Sequence, residues 1–233
     1  MPALFVRGAR AAEAPRKGQE RIAAEEHRVA LVIGNNDYRH IGTLDTAVAR
    51  AFKREMEGRG FQVVHRKNAD RGAMNEAVRD FIGRLSSNAV GVVCDSGHSV
   101  QIGGGANYLL PTDLKAEKEG QVIDDAVELG RLLDMVSQTQ AKFTLAIVDA
   151  CRDNPFRGSG RAIGGKGLAP PISNANGIMV VYSAGANQQA LDRLSGGDRD
   201  PNGLFTREFL KAMRLPGRTV QEVVNAVKMS VIE

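Results

Sequence analysis

Cysteine, tryptophan and long apolar runs are what this sequence has least of. Its 233 residues include two cysteines, three tyrosines and no tryptophan. Two cysteines are too few for a disulfide framework, and no group of Cys and His residues has the spacing of zinc ligands. No apolar run approaches the ~20 residues that a membrane-spanning helix needs. These absences exclude a disulfide scaffold and a membrane-embedded protein, and we expect no membrane partner.

The positive charge of the chain is small and dispersed. The sequence has 31 Lys and Arg residues against 27 Asp and Glu residues, a net charge of +4. Half of this excess lies in residues 1–28, and no basic stripe is interleaved with aromatic residues. We therefore expect no nucleic-acid partner.

The sequence also has no phosphate-binding glycine loop, which argues against a nucleotide-binding α/β protein.

From residue 29 onward, short apolar runs alternate with segments of helical periodicity. Strands are predicted over 29–33, 61–64, 90–93, 143–148 and 178–182, and helices over 44–56, 73–85, 123–136, 203–214 and 217–231. Glycines 103–105 predict a hairpin turn. This alternation is typical of an α/β fold with a mostly parallel central sheet and helices on both faces. Functional groups in such sheets collect at the carboxyl ends of the strands.

Two segments with reactive side chains follow the third and fourth predicted strands. His98 follows the third and Cys151 the fourth. A thiol whose pKa is near 8.5 needs a base to become a nucleophile, and a histidine at a neighbouring strand end supplies one. A lone cysteine after a strand is more often a small buried hydrophobe. The pairing with His98 therefore carries the catalytic interpretation.

The surrounding motifs resemble those of caspase-like cysteine peptidases, above all the bacterial caspase-like peptidases and metacaspases. The matching segments are 28–35, 96–98, 107–111, 149–156, 182–184 and 202–206, of which Asp-Ala-Cys-Arg-Asp-Asn-Pro-Phe at 149–156 is the most specific. The resemblance implies a caspase-like α/β sandwich over residues 28–233. A large-subunit-like part would cover about 28–156, a glycine-rich linker 157–176, and a small-subunit-like part 177–233. Residues 1–27 are interpreted as a flexible leader or a helix lying on the domain.

The same resemblance implies a cysteine endopeptidase and a role for each site residue. Cys151 would be the nucleophile, His98 the acid–base group, and the backbone N–H groups of Cys151 and Ser99 the oxyanion hole. Asp149 and Ser96 match residues of the substrate-binding pocket, where an acid selects a basic side chain. The expected partner is a peptide or protein cleaved after Arg or Lys. Asp149 is alternatively a carboxylate that binds a helix end or a loop.

Several positions depart from the family pattern. Ser99 replaces the glycine that usually follows the histidine, and Cys94 and Asp95 lie where large aromatic residues are frequent. Asp95 either perturbs the imidazole of His98, adds acid to the substrate-binding pocket, or is a solvated strand-end residue. Cys94 is interpreted as a core residue. Arg50 falls near the position of an acidic pocket residue. These departures leave an alternative function, a caspase-fold regulatory or interaction module with weak or no activity.

No cofactor is expected, although calcium remains an alternative. Some metacaspases bind calcium through aspartates, and Asp113, Asp124 and Asp125 fall near three of those positions. A fourth carboxylate is missing near Gly158, and calcium prefers six to eight oxygen ligands. Solvated loop acids, with Asp124 near a helix start, are the favoured explanation of the three aspartates.

The linker at 157–176 is the candidate for self-cleavage. It carries Arg157, Arg161 and Lys166 among its glycines, and exposed loops of this kind are where proteolytic cleavage concentrates.

The expected location of the protein is the cytoplasm. A nucleophilic thiol functions in the reducing cytoplasm, so we favour this compartment over export for a domain that we expect to be soluble. The sequence leaves the oligomeric state open.

Overall fold

The computed structural model describes residues 26–44, 47–103, 105–151, 156, 177–183 and 200–232. In chain order its elements are β1 (Arg28–Gly34), α1 (Val48–Gly58), β2 (Gln62–Lys67), α2 (Arg71–Arg84), β3 (Val90–Ile102), β4 (Ala106–Leu109), α3 (Glu119–Asp125), β5 (Val127–Glu128), α4 (Leu129–Gln138), β6 (Phe143–Cys151), β7 (Ile178–Tyr182), α5 (Leu204–Arg214) and α6 (Val220–Ile232). Within these ranges no helix has the length and apolar character needed to cross a bilayer. Residues 1–25 of the predicted leader at 1–27, and the whole linker at 157–176, lie outside the described residues.

The described strands form one mostly parallel sheet. Strands β2, β1, β3, β6 and β7 are neighbours in that order, and each pair is parallel. β4 pairs antiparallel with the last four residues of β3, and β5 pairs antiparallel with β4. Helices α1, α5 and α6 pack on one face, and α2 and α4 pack on the other. The predicted α/β fold is confirmed.

Apolar side chains alternate between the two faces of the sheet. On β3, Val93 belongs to the cluster with α2 and α4, and Cys94 belongs to the cluster with α1, α5 and α6. Phe52, Phe81 and Phe209 are fully buried against the sheet, and each such burial contributes roughly 1.5–3 kcal/mol. Because side chains alternate along a strand, Ser96 and His98 lie on the same face of β3 as Cys94, the face that α1 and α5 cover. This alternation decides which polar side chains share a face.

β3 is longer than predicted, with 13 residues from Val90 to Ile102. The prediction ended this strand at residue 93 because polar residues follow. β1 pairs with β3 as far as Ser96, and β4 then pairs with it from Ser99 onward, so hydrogen bonding keeps the polar segment extended. β6 likewise continues to Cys151. His98 and Cys151 therefore lie inside strands rather than after them.

Two predicted helices differ most from the structure. The helix predicted over 123–136 is two helices, because the two residues of β5 pair with β4 between α3 and α4. The first helix begins at Val48 rather than at residue 44. The Leu44 N–H bonds the carbonyl of Asn36 at 3.0 Å and so belongs to the loop after β1. The predicted glycine turn does join β3 to β4, with Gly103 at a φ of +61°.

Candidate active site

β3 and β6 bring the predicted site residues together at one end of the sheet. In the parallel register Ser96 lies opposite Asp149, and His98 lies opposite Cys151. Neighbouring strands are about 4.8 Å apart, so each pair is adjacent. Ser96, His98 and Asp149 share the face covered by α1 and α5, since Cys94 on β3 and Ile147 on β6 both pack on that face.

The imidazole of His98 is buried and held by the loop that follows β1. Only 7% of the residue is exposed, and its Nε2 atom lies 2.7 Å from the carbonyl oxygen of Gly42. A carbonyl oxygen only accepts hydrogen bonds, so Nε2 carries the proton in this contact. In the neutral ring Nδ1 is then the basic nitrogen. The loop thus selects the tautomer of the histidine.

Tyr38 contacts both the ring and the backbone of His98. The two ring centroids are 4.7 Å apart, with the planes inclined by 50°. The tyrosine hydroxyl accepts a hydrogen bond from the His98 N–H at 2.7 Å and donates one to the carbonyl of Leu110 at 3.3 Å. A Cβ atom on Gly97 would lie 2.6 Å from this hydroxyl. The residue before the histidine is therefore glycine for a steric reason.

The backbone N–H of Ser99 points toward the β6 edge of β3. The carbonyls of Ser96 and His98 both accept hydrogen bonds at the opposite edge, from the residue that follows β1 and from the residue that follows β4. In a strand, the carbonyl of one residue and the N–H of the next point to opposite edges. The Ser99 N–H therefore points away from the edge to which the His98 carbonyl points. It points to the end of β6, where Cys151 is the last residue.

The Asp149 carboxylate is bound by helix α5. Thr206 donates a hydrogen bond from Oγ1 to the Oδ2 atom of Asp149 at 2.5 Å. Thr206 is fully buried in the first turn of α5, and a carboxylate near a helix N-terminus is stabilised by the helix dipole. This contact fixes one oxygen of the Asp149 carboxylate, and Asp149 is half-buried beside Ser96.

Asp95 lies on the other face of β3, with Val93, and is only 2% exposed. Burial, and after it the negative charge of Asp149, raises the pKa of Asp95 to about 7. Its Oδ2 atom has no hydrogen-bond partner among the residues that the structure describes. Asp95 is therefore a buried acid whose pKa is raised in part by the charge of Asp149, and not a solvated strand-end residue.

Cys94 is a core residue, as interpreted from the sequence. It is fully buried among apolar side chains. Burial raises its pKa well above the ordinary value, and the charges of Asp149 and Asp95 raise it further. A thiol in these surroundings stays protonated and unreactive.

Arg71 contacts two of the three calcium candidates. Its backbone N–H donates to Asp113 at 2.9 Å, and its guanidinium pairs with Asp125 at 2.6 Å. Asp124 is exposed on α3, and Arg50 is exposed on α1. In the described part of the chain, no three His, Cys, Asp or Glu side chains are grouped closely enough to hold a metal ion.

Three residues of the site were missed in the sequence. Tyr38 follows β1 at the same sheet end as His98, and this shared position was the only available signal. Thr206 lies in the segment 202–206 that the resemblance marked without giving it a role. Gly42 contributes a backbone carbonyl, which no side-chain pattern can reveal.

Comparison with known proteins gives one clear result. A search of curated proteins finds no significant match to the sequence. The family model of the caspase domain matches residues 27–233, which include every site residue described above. The chain therefore belongs to the caspase domain family of cysteine peptidases.

Proposed function

We propose that the protein is a cysteine endopeptidase that hydrolyses peptide bonds after Arg or Lys, with His98 and Cys151 as its catalytic dyad. The observation that carries this proposal is the parallel register that sets His98 opposite Cys151. The contact between Nε2 of His98 and Gly42 adds support, because it leaves Nδ1 as the nitrogen that can accept a proton.

In the first step the imidazole activates the nucleophile. Nδ1 of His98 takes the thiol proton of Cys151, and the thiolate attacks the scissile carbonyl carbon. The electron pair of the carbonyl moves onto its oxygen. The N–H groups of Ser99 and Cys151 stabilise this oxyanion, and one such donor is typically worth about 3–4 kcal/mol.

In the second step the imidazolium donates its proton to the leaving amine. The carbon–nitrogen bond breaks, and the acyl group remains attached to Cys151 as a thioester. His98 then takes a proton from a water molecule, which attacks the thioester and releases the carboxylic acid. The proton returns to the sulfur and restores the thiol.

The preference for a basic substrate side chain rests on Asp149. Its carboxylate lies beside Ser96 on the face of the sheet that carries His98. A carboxylate in a partly desolvated position forms a charge-assisted hydrogen bond with Arg or Lys, and this bond is lost with a neutral side chain. The buried acid Asp95 adds negative charge behind Asp149 when it ionises.

The test is hydrolysis of fluorogenic peptides that end in Arg, Lys or Asp. We expect the Arg and Lys peptides to be cleaved and the Asp peptide to remain intact. Activity should vanish in Cys151→Ala and His98→Ala. It should persist in Cys94→Ala, a matched control in which the other cysteine, a core residue, is truncated. No cleavage of any peptide by folded protein with a reduced thiol would contradict the proposal and favour a regulatory module.

Self-cleavage in the linker at 157–176 is part of this proposal. The basic residues Arg157, Arg161 and Lys166 match the proposed specificity. Intact-mass analysis of active wild-type protein should show fragments that end at one of these residues, whereas Cys151→Ala should stay unbroken. An unbroken wild-type chain under conditions of peptide cleavage would count against self-cleavage alone.

A further inference from the structure

The hydrogen-bond ladder between β3 and β4 is interrupted at His98. The register that pairs Ser99 with Leu109 sets His98 opposite Leu110. Paired residues of this type exchange two backbone hydrogen bonds in a regular antiparallel ladder. The first bond is present, since the Leu110 N–H donates to the His98 carbonyl at 3.0 Å.

The second bond of this pair is replaced by a tyrosine hydroxyl. The His98 N–H donates to the Tyr38 hydroxyl at 2.7 Å, and the hydroxyl donates to the Leu110 carbonyl at 3.3 Å. Tyr38 is only 5% exposed, so water does not readily take over this bridge. The hydroxyl therefore lies between the His98 N–H and the Leu110 carbonyl and keeps these two groups from bonding directly.

The same loop also holds the histidine ring. The Tyr38 ring packs against the imidazole with centroids 4.7 Å apart, and Gly42, four residues further along the loop, accepts the hydrogen bond from Nε2 at 2.7 Å. Gly97 leaves the space that the hydroxyl occupies. Backbone, ring plane and tautomer of His98 are thus all determined by the loop after β1.

We propose that Tyr38 is the positioning residue for His98, and that its hydroxyl sets the distance and orientation of the imidazole relative to Cys151. This inference rests on the proposed function, because it takes His98 as the acid–base group. Tyr38 acts through His98 and not on the substrate. Without the hydroxyl, the His98 N–H loses its acceptor in a buried position, or β3 moves toward Leu110 so that the N–H bonds the Leu110 carbonyl directly. Either change displaces the imidazole.

The test measures the reactivity of Cys151 directly. The rate constant for alkylation of Cys151 by iodoacetamide at neutral pH depends on the thiolate that His98 helps to form. Mass spectrometry assigns the modified residue, and the buried Cys94 should react far more slowly. We compare Tyr38→Phe with His98→Ala and with Tyr108→Phe. Tyr108 is a buried tyrosine of the same apolar cluster, and its loss of a hydroxyl leaves the bond between Tyr38 and the His98 N–H intact.

We expect Tyr38→Phe to slow alkylation toward the rate of His98→Ala, and Tyr108→Phe to react like the wild type. With a cleavable peptide, Tyr38→Phe should lower kcat by roughly 10- to 100-fold, the usual cost of a displaced catalytic group, with little change in KM. A purely structural role would reduce the folded fraction but leave the rate constant of the folded protein unchanged.

A second variant keeps the test decisive if Tyr38→Phe does not fold. Gly97→Ala retains the phenol but places a Cβ atom 2.6 Å from its hydroxyl, so we expect it to slow alkylation as well. In the Tyr38→Phe background the added methyl group meets no hydroxyl, and its nearest remaining neighbour is the Asn35 Cβ atom at 3.3 Å, so Gly97→Ala should slow alkylation less there than in the wild type. This non-additive result identifies the hydroxyl as the cause.

The outcomes separate the inference from the proposed function. If His98→Ala slows alkylation while Tyr38→Phe and Gly97→Ala do not, the role of Tyr38 is wrong and the dyad stands. If His98→Ala has no effect, the dyad is wrong, and the role of Tyr38 falls with it. Slowing by His98→Ala, Tyr38→Phe and Gly97→Ala together supports both.

Discussion

The hydroxyl of Thr206 donates a hydrogen bond of 2.5 Å to the carboxylate of Asp149, and this bond joins the first turn of α5 to the end of β6. The helix is fixed independently of this bond. Phe209 lies one turn further along α5, and its ring packs against that of Phe52 on α1 with centroids 5.8 Å apart. The packing of α5 on α1 therefore determines where the carboxylate is held.

Loss of the Thr206 hydroxyl should weaken the binding of basic substrates. Thr206→Val keeps the shape of the side chain but removes the donor, so the Asp149 carboxylate loses one hydrogen bond and its fixed orientation. We expect KM for an Arg peptide to rise about tenfold, as for the loss of a hydrogen bond to a charged group. The kcat value should change less. Steady-state kinetics with fluorogenic Arg peptides measure both values.

Thr206→Ser is the control for this prediction because it retains the hydroxyl and loses only a methyl group. We expect KM near that of the wild type in this variant. Equal impairment in Thr206→Ser and Thr206→Val would mean that packing of the methyl group, and not the hydrogen bond, holds Asp149 in place.

Asp95 should make the folded protein less stable as pH rises. Its ordinary pKa is 3.8, and in the folded state its pKa is about 7. The folded state therefore binds this proton more tightly, and its contribution to the free energy of unfolding is complete below pH 3.8 and is lost as pH rises to about 7. Above pH 7 a buried charge remains, and no residue of the described part of the chain balances it, at a cost on the order of a few kcal/mol.

The variant Asp95→Asn removes this titration. We expect it to gain stability relative to the wild type as pH increases between about 4 and 7, and to keep that gain at higher pH. Urea unfolding at a series of pH values measures the difference in free energy of unfolding. A difference that stays constant across the series would show that Asp95 does not titrate in this range.

Close packing between β1 and α1 should make Gly34 intolerant of any side chain. A Cβ atom at this position would collide with the Cβ of Ala49, and both residues lie in the buried part of the protein. We expect Gly34→Ala to lower the free energy of unfolding by about 1–3 kcal/mol, the usual cost of overpacking. Urea unfolding at one pH is sufficient to measure this.

Gly83→Ala is the matched control for Gly34→Ala. Gly83 lies inside α2, and an added Cβ atom has nothing within 4 Å. Alanine is the better helix former, so this variant should gain roughly 0.5–1 kcal/mol. If Gly34→Ala were tolerated as well as Gly83→Ala, β1 and α1 would have to separate at little cost.

The sequence was sufficient to predict the parallel sheet and the position of His98 beside Cys151 on neighbouring strands, because both follow from the pattern of apolar runs. Apolar runs mark the buried strands, and the carboxyl ends of parallel strands meet at one end of the sheet. The extension of β3 to residue 102 was not predictable in this way. It results from a change of partner strand, from β1 to β4, which depends on tertiary structure.

The contacts that hold the site were beyond sequence patterns for a related reason. Tyr38 and Thr206 reach the site from elements far from it along the chain, and Gly42 does so through a carbonyl alone. The burial of Asp95 was also not predictable from its position in the sequence. The polar residue looked like a strand-end acid, but the strand continued and buried it.

Arg71 should make calcium unnecessary for activity. Asp113 and Asp125, two of the three calcium candidates, each already bind Arg71, one through its backbone N–H and the other through its guanidinium. The guanidinium therefore places a positive charge beside Asp125, where a cation would otherwise balance that carboxylate. We expect the hydrolysis rate of an Arg peptide to be equal in a calcium chelator and in millimolar calcium.

The variant Arg71→Gln tests whether Arg71 is the reason for this independence. It removes the positive charge but keeps the backbone N–H that binds Asp113. The ion pair with Asp125 is largely exposed, so its loss should cost at most about 1 kcal/mol of stability. If calcium independence comes from Arg71, calcium should raise the melting temperature of Arg71→Gln but not that of the wild type. A wild-type enzyme that calcium activates would contradict the prediction, because Arg71 would then not substitute for the ion.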